Sequence, residues 1–323
     1  MRELTITGIN EITYPNLNIW GLEIALYLFL GGLTAGIMVM SAIANLRKSK
    51  ELPDDVACCI KAPMYAPILL AIGMFFLWLD LTRKFNVFWF YLSFQPLSPM
   101  SWGAWGLILM FPVSFAYALS VVPPEKKDWL RFEILKNWSN KLYPYMSKLA
   151  ILNLALGIFL GIYTGVLLSS FVARPLWNSP ILPVLFLNSA LSTGAAFCVI
   201  MAKRTSVRLF FTKVDIWLII AELVLLALFF YGHYTSTAPH RESITPFFSF
   251  TGKYFIYGIA SIMIWTSFAL ALVLKLLEVK EEHGDALSSS QIFRMRLSAV
   301  LVLIGALILR LAIVYAGQLT KLS

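Results

Sequence analysis

The chain is poor in the residues that hold redox metals. It has three cysteines, Cys58 and Cys59 adjacent and Cys198 apart. An iron–sulfur cluster needs about four spaced thiolates, so no cluster is expected within this chain. Of its three histidines, only His233 falls in or near an apolar run. That excludes a haem held by two histidines on facing membrane helices. The sequence also offers no glycine-rich phosphate loop and no metal-ligand spacing. If the protein takes part in electron transfer, its electrons come from or go to another subunit. Charge is scarce as well, at 13% of residues, about half the share usual in soluble domains. The leading segment MRELTITGINEITYPNLN has no basic n-region and no small-residue cleavage site. The first apolar run is therefore expected to be a retained helix and not a signal peptide.

What is abundant is apolar: 59% of residues are hydrophobic and 15% aromatic. Runs of about 20 apolar residues are long enough to cross a bilayer. Eight occur, at Ile19–Asn45, Ala62–Asp80, Pro99–Val122, Ser147–Val172, Pro183–Ala202, Val214–Tyr234, Lys253–Leu277 and Leu297–Leu319. The fold class is an all-α polytopic membrane protein with the lipid bilayer as its surroundings. The net charge of +9 belongs to cytoplasmic loops and not to a nucleic-acid surface. Eighteen of the 26 Lys and Arg flank the loops after spans one, three, five and seven, and seven lie at the termini and the other loops. Positive charge marks the cytoplasmic side, so both termini are expected outside, in an inner-membrane protein.

Much of the rest reads as structure. The basic loop PPEKKDWLRFEILKNWSNKLYPYM, with Trp129, Leu130, Phe132 and Leu135 interspersed, suits an interfacial helix. KEEHGDALSSSQ reads as a solvated loop. Gly31, Gly32, Ala35 and Gly36, and Gly157, Gly161 and Gly165, allow helices to approach closely. Between spans four and five, Arg174, Pro175, Leu176, Trp177, Asn178, Ser179 and Pro180 form a turn whose prolines stop helices. Its Trp and Arg are the types found where a membrane helix meets water.

Ionisable groups at membrane depth are costly and are candidates for function. Glu23 lies one turn inside Trp20, with Tyr27 four residues on along the same face. Asp80 and Arg83 close the second span, and Tyr163 lies on the fourth. By helical rise, Tyr27 is about 10 Å below Trp20 and Tyr163 about 16 Å below Arg174. These groups converge on the outer half of the first four spans. Asp215, Glu222 and Arg310 lie apart, on spans six and eight. Structural readings stand beside these: Tyr27 as an interfacial anchor, Asp80–Arg83 as a local ion pair, Glu222–Arg310 as a neutralising pair. Glu222 and Arg310 also suit a midplane site of a secondary transporter or channel, although no broken helices mark the two halves.

Four stretches carry a resemblance: WGLEIALYLFLGGLTAG, WLDLTRKFNVFWFY, SPMSWGAWGL and YTGVLLSSFVARPLWNSPILPVLFLNSALSTGAA, with GALILRLAIVYAGQ in the last span. The chain resembles the NrfD/PsrC family, the quinone-handling membrane subunits of polysulfide reductase and related iron–sulfur molybdoenzymes. The resemblance implies two four-helix bundles, 1–172 holding a quinone near the outer face and 173–323 beside it. It implies menaquinone as the expected quinone. The implied partners are a ferredoxin-like subunit with four [4Fe–4S] clusters and a molybdopterin catalytic subunit. Tyr163 matches the family's quinone-contacting tyrosine. The polysulfide reductase type has an Asn and a His on the first helix where this chain has residues around Glu23 and Tyr27. The expected site is then Glu23, Tyr27, Tyr163, Asp80 and Arg83, with Asp215, Glu222 and Arg310 as a proton path.

Overall fold

A computed structural model describes residues 20–47, 61–81, 83–92, 94–122, 132–280 and 288–319. The leading segment, Cys58, Cys59, Trp129, Leu130 and most of the KEEHGDALSSSQ loop lie outside the described residues. Among the described residues there is no strand. The helices are α1 (Leu22–Arg47), α2 (Ala62–Asp80), α3 (Val87–Leu92), α4 (Pro99–Ser120), α5 (Glu133–Leu142), α6 (Met146–Ser169), α7 (Ile181–Met201), α8 (Thr205–Thr235), α9 (Ala238–Phe248), α10 (Phe255–Lys280) and α11 (Ser289–Leu319).

Eight of them, α1, α2, α4, α6, α7, α8, α10 and α11, are long and apolar enough to cross a membrane. They correspond one for one with the eight runs in the sequence. Two begin more than two turns before the apolar runs do: α8 at Thr205 and α11 at Ser289. Each has 31 residues, about 46 Å at 1.5 Å per residue, against a hydrocarbon core of about 30 Å. The extra turns continue a helix into water, where apolar content no longer marks it. The short α3 and α9 fall in connections whose composition gave no periodic signal. In the basic loop, α5 forms as expected; Leu135 and Leu142 pack inward, while Ile134 and Trp138 are exposed.

The spans pack in two cycles. α1 meets α2 and α6, and α4 meets α2 and α6; likewise α7 meets α8 and α11, and α10 meets both of those. α1 also lies against α7 and α11, and α6 against α7. In its most apolar stretch α1 is 83% buried, against 33% for α2, α8 and α10. It is the innermost helix, which explains why its glycines are so dense.

Not all of those glycines serve the same end. A methyl group on Gly36 would fall 1.9 Å from the Ala190 carbonyl oxygen, and one on Gly194 would fall 2.2 Å from the Gly36 carbonyl carbon. There α1 and α7 touch backbone to backbone, as small residues permit in lipid. Gly157, Gly161 and Gly165 leave similar room around α6. Gly31 meets nothing within 4 Å, and Gly32 faces the guanidinium of Arg310. Polar side chains tie the helices further: Asn153 donates to the Met38 carbonyl (3.0 Å) and Tyr117 to the Ser41 carbonyl (3.1 Å).

The turn at 174–180 differs from the expected water-facing anchor. Trp177 is 4% exposed. Its indole N–H donates to the Ile313 carbonyl at 2.8 Å, and Gly317 provides the room. A buried indole needs such a partner, and α11 supplies it. Arg174 donates to the Gln318 carbonyl (2.9 Å), and His233 pairs with the Pro175 carbonyl (3.3 Å). Burial lowers the Arg174 pKa from its ordinary value.

Gly36→Ala is expected to destabilise the protein by about 1–3 kcal/mol, the usual cost of overpacking. Thermal unfolding in detergent measures this, and Gly31→Ala serves as the unaffected control.

Candidate functional site

At the end where α1 begins and α2 ends, a cavity of about 400 Å³ opens between α1, α2, α3, α4 and α6. Its wall is largely apolar, from residues such as Ile24, Leu77, Val87 and Leu107. Four oxygen-bearing side chains face it: Tyr27 from α1, Asp80 from α2, Tyr91 from α3 and Tyr163 from α6. Tyr27 and Tyr163 are buried and Asp80 is half-buried. Burial raises the Tyr91 pKa above that of an ordinary phenol, which keeps it a neutral donor.

The position of each phenol has a local cause. Gly103 lies opposite Tyr163, and a methyl group there would come within 1.8 Å of the Tyr163 hydroxyl oxygen. Gly106, one turn on, similarly clears the ring of Phe159, which stacks on Tyr163 at 6.1 Å between centroids. The small residues in SPMSWGAWGL are therefore a mould for the α6 aromatics. Trp20 lines the cavity at the start of α1 and stacks on Trp177 at 5.0 Å. Gln318 clamps it by accepting from the Trp20 N–H (3.1 Å) and donating to the Trp20 carbonyl (2.9 Å).

Of the five residues expected around the site, the cavity collects Tyr27, Tyr163 and Asp80. Glu23 is half-buried and outside the lining, close enough to Asp80 for the two carboxylates to repel. Arg83 is exposed and also outside the lining. No ion pair joins Asp80 to Arg83 among the described residues. Trp20, Tyr91 and Gly103 were not among the expected residues. The alternation of tryptophan and glycine in SWGAWG was the available sign for Gly103; Tyr91 lies on α3, which at six residues is too short to show helical periodicity.

A second polar array occupies the other cycle of helices. Arg310 is 1% exposed. It donates to the Leu28 carbonyl (3.3 Å), the Ala306 carbonyl (3.0 Å) and the Ser189 hydroxyl (3.0 Å). Phe29 and Phe186 stand 6.0 and 5.3 Å from its guanidinium carbon. Ser189 is the polar neighbour of the Glu222 carboxyl, at a geometry short of a full hydrogen bond. Glu222 and Arg310 form no direct ion pair. Asp215 accepts from the Ser192 hydroxyl (2.6 Å) and is ion-paired with Lys275, both side chains fully buried. Lys275 is thus no loop cation, although it stands among the membrane-adjacent charges by sequence. Its partner is 60 residues away on another helix, and no spacing rule brings the two together. Further along α10, Glu278 is ion-paired with Arg294 of α11. No group of three or more His, Cys, Asp or Glu suited to a metal occurs among the described residues.

The family model described as polysulphide reductase, NrfD, matches residues 10–322. The chain belongs to the NrfD family. It is 33% identical over 323 residues to one of the chains of polysulfide reductase from Wolinella succinogenes, a match that spans 95% of this protein and 97% of that one. To the protein NrfD of Escherichia coli it is 30% identical, over 94% of this protein and 96% of the relative. To one of the subunits of tetrathionate reductase from Salmonella typhimurium it is 28% identical over 259 residues, which is 77% of this protein and 68% of the relative. The resemblance read from the SPMSWGAWGL and RPLWN stretches is borne out across nearly the whole length. With eight membrane-crossing helices, this NrfD family member is a multi-pass membrane protein.

Gly103→Ala is expected to displace the Tyr163 hydroxyl and destabilise the protein by about 1–3 kcal/mol, the usual cost of overpacking. Thermal unfolding in detergent measures this. Gly31→Ala, where an added methyl group meets nothing within 4 Å, is the control.

Proposed function

We propose that the protein is the quinone-handling membrane subunit of a respiratory oxidoreductase. It would exchange electrons between the membrane quinone pool and an extracytoplasmic iron–sulfur subunit. The observation that carries this reading is the cavity lined by Tyr27, Tyr91, Tyr163 and Asp80. Its apolar wall suits a planar ring and an isoprenoid tail, and its convergent hydroxyls and carboxyl suit two ring oxygens. Menaquinone is the proposed quinone, and when bound it supplies the two-electron, two-proton chemistry.

The protein's own groups have distinct parts. Tyr163 and Tyr27, buried phenols, hold a ring oxygen as neutral donors. Asp80 accepts or returns a proton at the rim, with Glu23 beside it relaying that proton to the outer phase. Arg83, exposed at the same end, is proposed as a contact for the outer partner. That partner is a ferredoxin-like four-cluster subunit leading to a molybdopterin subunit, as in a polysulfide- or sulfur-reductase assembly. This reading takes 1–172 as the quinone bundle and 173–323 as its companion in the cell inner membrane, with both termini outside. Asp215, Glu222 and Arg310 form a proton route through the companion bundle.

Tyr163→Phe removes one hydroxyl and leaves packing intact. It is expected to cut quinol-linked turnover by about 100-fold, at the low end of acid–base contributions, in a complex that assembles normally. Unchanged turnover and unchanged inhibition by quinone analogues would remove Tyr163 from the site. Glu23→Gln should keep quinone bound, as lipid extraction of the purified complex reads directly, while slowing turnover. For the route, Glu222→Gln combined with Arg310→Met removes both charges, a change tolerated better than removal of one. In liposomes this variant should keep quinone turnover and lose proton uptake from the inner side. Normal proton movement would make the two residues structural.

A further inference from the structure

We infer that Glu278 is the group through which protons enter the buried polar series, with Lys275 and Asp215 as the next station. This rests on the proposed proton route and extends it to the surface opposite the cavity.

The geometry is a sequence of neighbours. Glu278 lies near the end of α10, fully buried, with one carboxylate oxygen accepting from Arg294. Its other oxygen, Oε2, is buried and has no hydrogen-bond partner. The Arg294 side chain is 37% exposed, so the pair has the protein surface on one side and the helix interior on the other. Three residues back on the same face of α10 is Lys275, ion-paired with Asp215. Asp215 accepts from Ser192 at 2.6 Å. Ser189, one turn away on α7, accepts from Arg310 at 3.0 Å and lies beside Glu222. Arg310 in turn donates to the carbonyl of Leu28, the residue after Tyr27, and both line the cavity. Asp215 and Glu222 are about 10 Å apart along α8 by helical rise, and the two α7 serines span that gap.

A purely structural set of ion pairs would be expected to occupy its buried oxygens, because a buried acceptor without a partner forfeits its hydration for no return, the more so when charged. Here Glu278 leaves one oxygen unpartnered, and Glu222 has only the adjacent Ser189 hydroxyl beside its carboxyl. Unpartnered carboxylate oxygens are where an incoming proton can bind.

The transfers involve protons only. A proton from the aqueous phase binds Glu278 Oε2 and neutralises that carboxyl. Passing to Asp215, it restores the Glu278–Arg294 pair and neutralises the partner of Lys275. The Ser192 and Ser189 hydroxyls then carry it to Glu222, and Asp215 returns to its pair with Lys275. Reduction of one quinone consumes two electrons from the partner subunit and two protons taken up at the Asp80 end of the cavity, and the protons carried to Glu222 are taken up from the opposite side in step with that turnover.

The test uses the intact complex in liposomes, with the α10–α11 connection facing the lumen and a pH dye trapped inside. Reduced benzyl viologen supplies electrons and a short-chain menaquinone accepts them. If the wild-type complex reduces menaquinone without making the lumen alkaline, the route itself fails, and this inference with it. Where the wild type does take up lumenal protons, Glu278→Gln is expected to slow that uptake about 100-fold. It still accepts from Arg294 but binds no proton, so quinone content by extraction should match the wild type. Uptake at the wild-type rate in Glu278→Gln would overturn the role of Glu278 and leave the route standing. If that variant does not assemble, Glu278→Leu with Arg294→Met removes the whole pair, and the same two outcomes decide.

Discussion

The contact between α1 and α7 at Gly36 and Gly194 is the interaction on which the rest of the molecule depends. Without side chains between them, the two backbones meet within van der Waals distance. α1 carries Tyr27 towards the cavity, and α7 carries Ser189 and Ser192 towards the second polar array. Because the two helices touch, Arg310 of α11 can reach across to the Leu28 carbonyl, and Gly32 leaves room for its guanidinium. A bulkier seam would separate the cavity from the array. The small residues of α1 thus do more than pack helices: they bring two chemically distinct sites into contact.

The second constraint is the cost of polarity in lipid. Backbone groups are satisfied within helices, so the energetic pressure falls on side chains. Tyr117 and Trp177 meet it by donating to carbonyls of other helices, Gln318 by its two bonds to the Trp20 backbone, and Asn153 in part, its amide donating to Met38 while its Oδ1 has no partner. Lys275 with Asp215 and Arg294 with Glu278 meet it as ion pairs. Glu222 does not meet it, and Glu278 meets it by half. Buried ion pairs are poor contributors to stability, and unpartnered carboxyl oxygens are worse. Their presence along one line of four helices is the physical basis for reading that line as a path.

The cavity end obeys a different logic. Trp20, Phe171 and Trp177 form an aromatic cluster there, pinned by Gln318 and by the Ile313 carbonyl. The last helix thereby holds the first turn of α1, and through it one wall of the cavity. The fold places the apolar wall and the oxygen donors on separate helices, so each phenol is positioned by packing against glycine or aromatic neighbours and not by its own helix alone.

The sequence by itself determined the class, the number of membrane helices and the family, because length and hydrophobicity are local properties and the motif strings are contiguous. Tyr27, Asp80 and Tyr163 were also legible one by one, since a polar group inside an apolar run is visible without a partner. What only the tertiary structure decided is which groups meet. Lys275 read as a membrane-adjacent cation and proved to be the buried partner of Asp215, 60 residues away. Trp177 read as an anchor facing water and proved to be a core residue bonded to α11. Gly103 had a visible pattern, but its purpose depended on the phenol of another helix. In each case the deciding interaction joins residues far apart in the sequence, and helical periodicity carries information about a helix's own faces, not about what those faces touch.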